Sequence, residues 1–172
     1  AFGGVGKSTI ATLVATKEQV RKEYNAGIVW IDVGNRGVYG FTYDEYCDVL
    51  SSMCHQLKLK DQPEFPELVN VPGESRIELE RRESKMMLEA RDKVSGLIRG
   101  RRGALLLILD DVWRNQDLEL FRFKWKKKKL CDILVTTRVQ GLLASDFVNI
   151  DFLSMDEGIQ LLLAEAGQSP DH

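Results

Sequence analysis

Ala1-Phe2-Gly3-Gly4-Val5-Gly6-Lys7-Ser8 opens the chain, and it fits the phosphate-loop pattern G-x-x-x-x-G-K-[ST] except at the first position, where Ala1 replaces glycine. Gly3, Gly4 and Gly6 let the backbone curl so that successive N–H groups point inward, and a helix starting behind them adds partial positive charge. Gly3, Gly4, Val5, Gly6, Lys7, Ser8 and Thr9 are therefore candidate phosphate-binding residues. Lys7 is placed to reach the β- and γ-phosphates of a nucleotide, and the Ser8 hydroxyl to ligate magnesium. Ile10, Leu13, Val14 and Val20 follow at roughly helical spacing, so residues 8–24 read as one helix leaving the loop.

A second constellation lies some hundred residues downstream. Leu105-Leu-Leu-Ile-Leu-Asp-Asp-Val-Trp113 is a continuous apolar run ending in two carboxylates, the pattern of a strand buried on both faces of a parallel sheet. Ligands of open α/β sheets bind at the carboxyl ends of strands. Asp110 is thus a candidate for the magnesium shell, and Asp111 for orienting or deprotonating an attacking water. Trp113 reads as packing. Ile133-Leu-Val-Thr-Thr-Arg138 is another strand ending in polar residues, which puts Arg138 in position to sense or stabilise a γ-phosphate.

The remaining elements complete the pattern. Residues 28–33 form a short β-branched strand stopped by Gly34, Asn35 and Gly37. Thr42 and Glu45 form a capping box ahead of an amphipathic helix carrying Tyr46, Val49, Leu50, Met53, Cys54 and Leu57. Pro63, Pro66 and Pro72 mark a loop, and residues 75–98 a long helix stopped by Gly100. Residues 148–152 read as a further strand, and Ser154 with Glu157 as a second capping box on a helix ended by Gly167. Strands alternating with helices imply crossovers and a parallel sheet. The fold class is α/β, a three-layer P-loop NTPase.

Bulk properties narrow the function classes. With 44% hydrophobic and 29% charged residues among 172, the composition is that of a soluble globular domain. The net charge of −2 argues against a wholesale nucleic-acid binder. No apolar run reaches the 18–20 or so residues of a membrane span. Cys47, Cys54 and Cys131 have neither metal-ligand spacing nor an even number, which fits a reducing cytoplasm. Arg122, Lys124 and Lys126 to Lys129 interleave with Phe121, Phe123 and Trp125. Without these six cations, 18 basic residues would face 26 acidic ones, so the stretch is a local anomaly. It reads as a solvated loop beside an edge strand, with phosphate gripping or an anionic membrane as the functional alternatives. The phosphate loop begins at Ala1, and the strand that normally precedes such a loop is expected upstream.

The order of GGVGKST at 3–9, IVWIDVG at 28–34, LLLILDDVW at 105–113, ILVTTR at 133–138 and FLSMDEGIQLLLAEAG at 152–167 resembles the NB-ARC domain. That family belongs to the STAND class of signalling ATPases, found in plant disease-resistance proteins and apoptosis regulators. The resemblance implies that Gly3, Gly4, Gly6, Lys7, Ser8 and Thr9 form the phosphate loop, Asp110 and Asp111 the Walker B pair, and Arg138 the first sensor. It implies ATP or ADP with Mg2+ as cofactors, and a slow ATPase that rests with ADP and signals after exchange. The implied partners are adjacent domains of the same chain and further copies on activation. Residues 1–167 would be the domain, with 168–172 starting the connection to the next. Trp113 matches the coiled-coil class of resistance proteins. The family's downstream Gly-Leu-Pro and Met-His-Asp motifs are absent, so adenine recognition is not covered, and residues 118–130 depart from its pattern. Two other readings are a nucleotide-clamped interaction module without turnover and a partitioning ATPase of the ParA and MinD type. Against the second, Phe2 stands where that group has an extra lysine.

Overall fold

The structure, a computed structural model, describes residues 3–143 and 147–167. Ala1, Phe2 and the expected connection at 168–172 lie outside the described residues. In chain order the elements are α1 (Lys7–Thr16), α2 (Glu18–Glu23), β1 (Gly27–Asp32), α3 (Tyr43–Gln56), α4 (Arg76–Ile98), β2 (Leu105–Val112), α5 (Asn115–Leu120), β3 (Lys124–Trp125), β4 (Lys128–Lys129), β5 (Asp132–Thr137) and α6 (Met155–Glu165).

The apolar run of β2 makes it the central strand. β1 pairs with it in parallel, from Gly27 opposite Leu105 to Asp32 opposite Asp110. β5 pairs in parallel on the other side, with Leu106 opposite Asp132. Successive side chains of β2 point to opposite faces. Leu105, Leu107 and Leu109 enter a core built with α3 and α4, including Tyr43, Tyr46, Leu50, Met53 and Val94. Leu106 and Ile108 meet Ala11 of α1 on the opposite face. Helices on both sides of a parallel sheet give the three-layer α/β architecture.

Local chemistry fixes the helix starts. Both capping boxes read from the sequence are present, at Thr42/Glu45 and Ser154/Glu157, and a third joins Ser75 to Glu78 at the head of α4. The backbone N–H of Thr42 donates to Glu45, which is the main reason that this carboxyl sits below its usual range. Tyr46 Oη donates to the Leu120 carbonyl at 2.7 Å, tying α3 to the end of α5. The outer edge of β1 is also occupied. Trp30 N–H donates to Gln56 Oε1 at 3.0 Å while Gln56 Nε2 donates back to the Trp30 carbonyl at 2.9 Å, as a neighbouring strand would.

Three expectations are corrected. Residues 8–24 form two helices, because Lys17 is extended (ψ 133°). The Thr16 hydroxyl there donates to the Leu13 carbonyl at 2.9 Å, a local bond that competes with helix continuation. Residues 148–152 form no strand. Their composition suits one, yet a strand exists only by pairing, and among the described residues nothing pairs with the far edge of β5. The basic stretch is a folded hairpin rather than an open loop: β3 and β4 pair antiparallel, while Phe121 and Phe123 are buried in the main core. Cys47, Cys54 and Cys131 are free and buried, and burial pushes Cys54 up to about 11 and Cys131 to about 12.

Candidate functional site

The glycine loop turns through left-handed backbone at Gly4 (φ 80°) and Gly6 (φ 89°), where a Cβ would be strained. Gly6 is also the N-cap of α1. No side chain caps this helix and no acidic residue lies in its first turn. The first helical bond runs from Ile10 N to the Gly6 carbonyl at 2.8 Å, so the backbone N–H groups ahead of it head the helix. A helix start of this kind favours an anion electrostatically and offers it donors.

The carboxylates arrive through an irregularity in β2. In a regular strand neighbouring side chains face opposite ways, so Asp110 and Asp111 would not share a site. The register between β2 and β5 shifts between Leu109 and Val112, and Asp111 takes φ 55°. This bulge re-aims the chain, at a backbone cost of roughly 1 kcal/mol that aspartate tolerates better than most residues. Thr136 stabilises the bulge: its hydroxyl accepts from the Asp111 N–H at 2.9 Å and donates to Asp110 Oδ1. The Ser8 hydroxyl donates to the same oxygen at 2.7 Å. The loop, β2 and β5 thus meet at one carboxylate.

Asp111 is held at both oxygens. Arg138 Nε donates to Oδ1 and Trp113 Nε1 to Oδ2, each at 3.0 Å. The Arg138 guanidinium lies 5.6 Å from the Trp113 ring centroid, within cation–π range. It also reaches over the loop, where a Cβ on Gly3 would come within 2.7 Å of an Arg138 terminal nitrogen.

These groups enclose a cleft of about 350 Å³ lined by Gly4, Gly6, Lys7, Ser8, Thr9, Asp32, Asp110, Asp111, Thr136 and Arg138. Of the residues expected from the sequence, Gly3 and Val5 stand outside this lining. The profile of the NB-ARC domain matches residues 1–172. The chain belongs to the NB-ARC family. NB-ARC domains are nucleotide-binding modules of signalling P-loop ATPases and take ATP or ADP. Comparison with curated proteins finds no match. No helix among the described residues of this NB-ARC domain is long and apolar enough to cross a membrane.

The donor set fits a magnesium ion. Ser8 Oγ and Asp110 Oδ1 are hard oxygens 2.7 Å apart, close to the edge of about 2.9 Å between neighbouring ligands of an octahedron with 2.0–2.1 Å bonds. Among the described residues no three His, Cys, Asp or Glu side chains form a cation cage. Magnesium habitually completes its shell with phosphate oxygens and water.

Three residues of the NB-ARC site were not singled out from the sequence. Thr136 reads there as the end of a strand, although a hydroxyl beside Arg138 was the available signal. Trp113 reads as packing, and its indole N–H gives no sign of its partner. Asp32 ends β1 opposite Asp110, and a carboxylate at the carboxyl end of a strand beside the site was the signal for it.

Proposed function

We propose that this NB-ARC domain is the switch of a cytoplasmic signalling protein of the innate-immunity or programmed-cell-death type, resting with ADP and turned on by exchange for ATP. Gly3 to Thr9 hold the phosphates, Lys7 reaches toward the terminal ones, and Ser8 with Asp110 hold Mg2+. Bound there, the ion would offset phosphate charge. Asp111 orients the attacking water and Arg138 senses the γ-phosphate. Adjacent domains of the same chain and further copies read the outcome.

The observation that carries this reading is the double hold on Asp111 opposite the glycine loop. Arg138 on one oxygen and Trp113 on the other turn the carboxylate toward its resting partners rather than toward a water. Turnover is therefore slow until Arg138 moves toward a γ-phosphate. The test is single-turnover hydrolysis of labelled ATP by the full-length protein beside titration with a fluorescent ADP analogue. Asp111→Asn should slow hydrolysis at least tenfold, a loss of about 1.4 kcal/mol, while ADP affinity stays within a few-fold. A variant that loses ADP binding altogether would make Asp111 structural. Tight nucleotide binding with no hydrolysis in the wild type would favour a nucleotide clamp without turnover.

A further inference from the structure

A second concave site lies at the opposite end of the sheet from the glycine loop. It is a cleft of about 560 Å³ under the amino ends of β2 and β5, walled by the end of α4 and by the β3–β4 hairpin. Its charged lining is Arg99, Arg101, Lys128 and Lys129 against the single carboxylate of Asp132. Two of the cations are committed: Arg101 donates to the carbonyls of Ala26 and Leu57, and Lys129 pairs with Asp132. Arg99 is braced with its guanidinium 4.0 Å from the Trp125 ring centroid, and the exposed Lys128 stands on the same hairpin. The end of α4 contributes about half a negative charge, too little to offset this excess of cations.

We infer that this cleft binds a compact, multiply phosphorylated ligand. A guanidinium fixed against an aromatic ring keeps its fork open for two phosphate oxygens and loses little side-chain entropy on binding. The concave shape and the volume suit a small ligand. Single-stranded nucleic acid fits poorly, because Phe121 and Phe123 are buried and Arg99 takes one face of the exposed Trp125 ring, so no run of aromatics is left to stack bases. The phosphates could be carried by a soluble molecule or by a lipid headgroup.

The test uses full-length protein, with inositol 1,4,5-trisphosphate followed by calorimetry in one arm and phosphatidylcholine vesicles holding phosphatidylinositol 4,5-bisphosphate followed by sedimentation in the other. Binding in either arm should weaken about tenfold or more in an Arg99→Gln, Lys128→Gln double variant with unaltered ADP affinity, a loss of at least about 1.4 kcal/mol. It should persist in Lys7→Ala and in the presence of excess MgADP, so failure of the nucleotide-switch reading would leave this result untouched. Soluble binding without vesicle binding identifies a free ligand, and the reverse identifies a headgroup. Should the double variant melt early, Lys128→Glu alone must show the same loss. The inference is overturned if neither probe binds, or if binding vanishes in Lys7→Ala and survives the change at Arg99 and Lys128.

Discussion

The two faces of the sheet are built to different depths. Toward α3 and α4, Leu105, Leu107 and Leu109 join a large cluster of buried residues with three mutually edge-on aromatics, Phe41, Tyr46 and Phe121. Toward α1, among the described residues, Ala11, Leu106 and Ile108 are the buried members of a thin layer, while Ile10, Leu13 and Val14 are 42%, 56% and 38% exposed. The helix that presents the glycine loop is thus thinly packed, whereas α3 and α4, which hold no site residue, are deeply packed. Among the described residues the deep apolar core lies on one side of the sheet, and the helix carrying the glycine loop lies on the other.

The largest effect should come from the deep face. Leu50 is fully buried, so Leu50→Ala should cost about 2–5 kcal/mol in urea unfolding, while the ADP affinity of the folded protein stays unchanged. A matching loss of affinity would erase the distinction between the faces. On the thin face, Lys7→Ala should reverse the pattern. Nucleotide affinity should fall about a hundredfold or more, as for a lost charge-assisted contact, with little change in unfolding midpoint.

Thr136→Val tests the seam between loop and sheet. It strips the acceptor from the Asp111 N–H and should destabilise by about 1–3 kcal/mol, with ATP turnover reduced more than ADP affinity. Acid should also act unequally. The Glu45 carboxyl is depressed chiefly by the Thr42 N–H. Its stabilisation is therefore full above the ordinary value of 4.5 and is lost as pH falls through the lower folded value. Glu45→Gln should flatten the fall in melting temperature as pH drops below 4.5, whereas Lys7→Ala should leave that slope alone. The smallest change should be Leu13→Ala, within about 0.5 kcal/mol as for an exposed position, and a larger loss would mean that α1 is better packed than its exposure indicates.

What the sequence revealed follows the range of the forces involved. The glycine loop, the capping boxes at Thr42 and Ser154 and the apolar run of β2 are local chemistry, and each is present. The bulge at Asp111 is not local, because it depends on a hydroxyl 25 residues away at Thr136. The indole of Trp113 and the guanidinium of Arg138 find Asp111 only once β2 and β5 are side by side. The break at Lys17 escaped notice because the apolar spacing on either side of it is still helical. Residues 148–152 have the composition of a strand, but composition does not supply a pairing edge. In the basic stretch, alternation concealed that Phe121 and Phe123 point inward while Trp125 stays outside.

Gln56 gives the border of the sheet a time signature. Its amide returns both hydrogen bonds to Trp30 on the outer side of β1, so the outermost strand behaves at that residue as an interior one. In deuterium exchange the Trp30 amide should exchange slowly, and opening it would require the end of α3 to let go rather than the strand merely to fray. Gln56→Ala should speed exchange at that amide while leaving the β1–β2 ladder protected, and the lag between the two rates would clock the detachment of a single side chain.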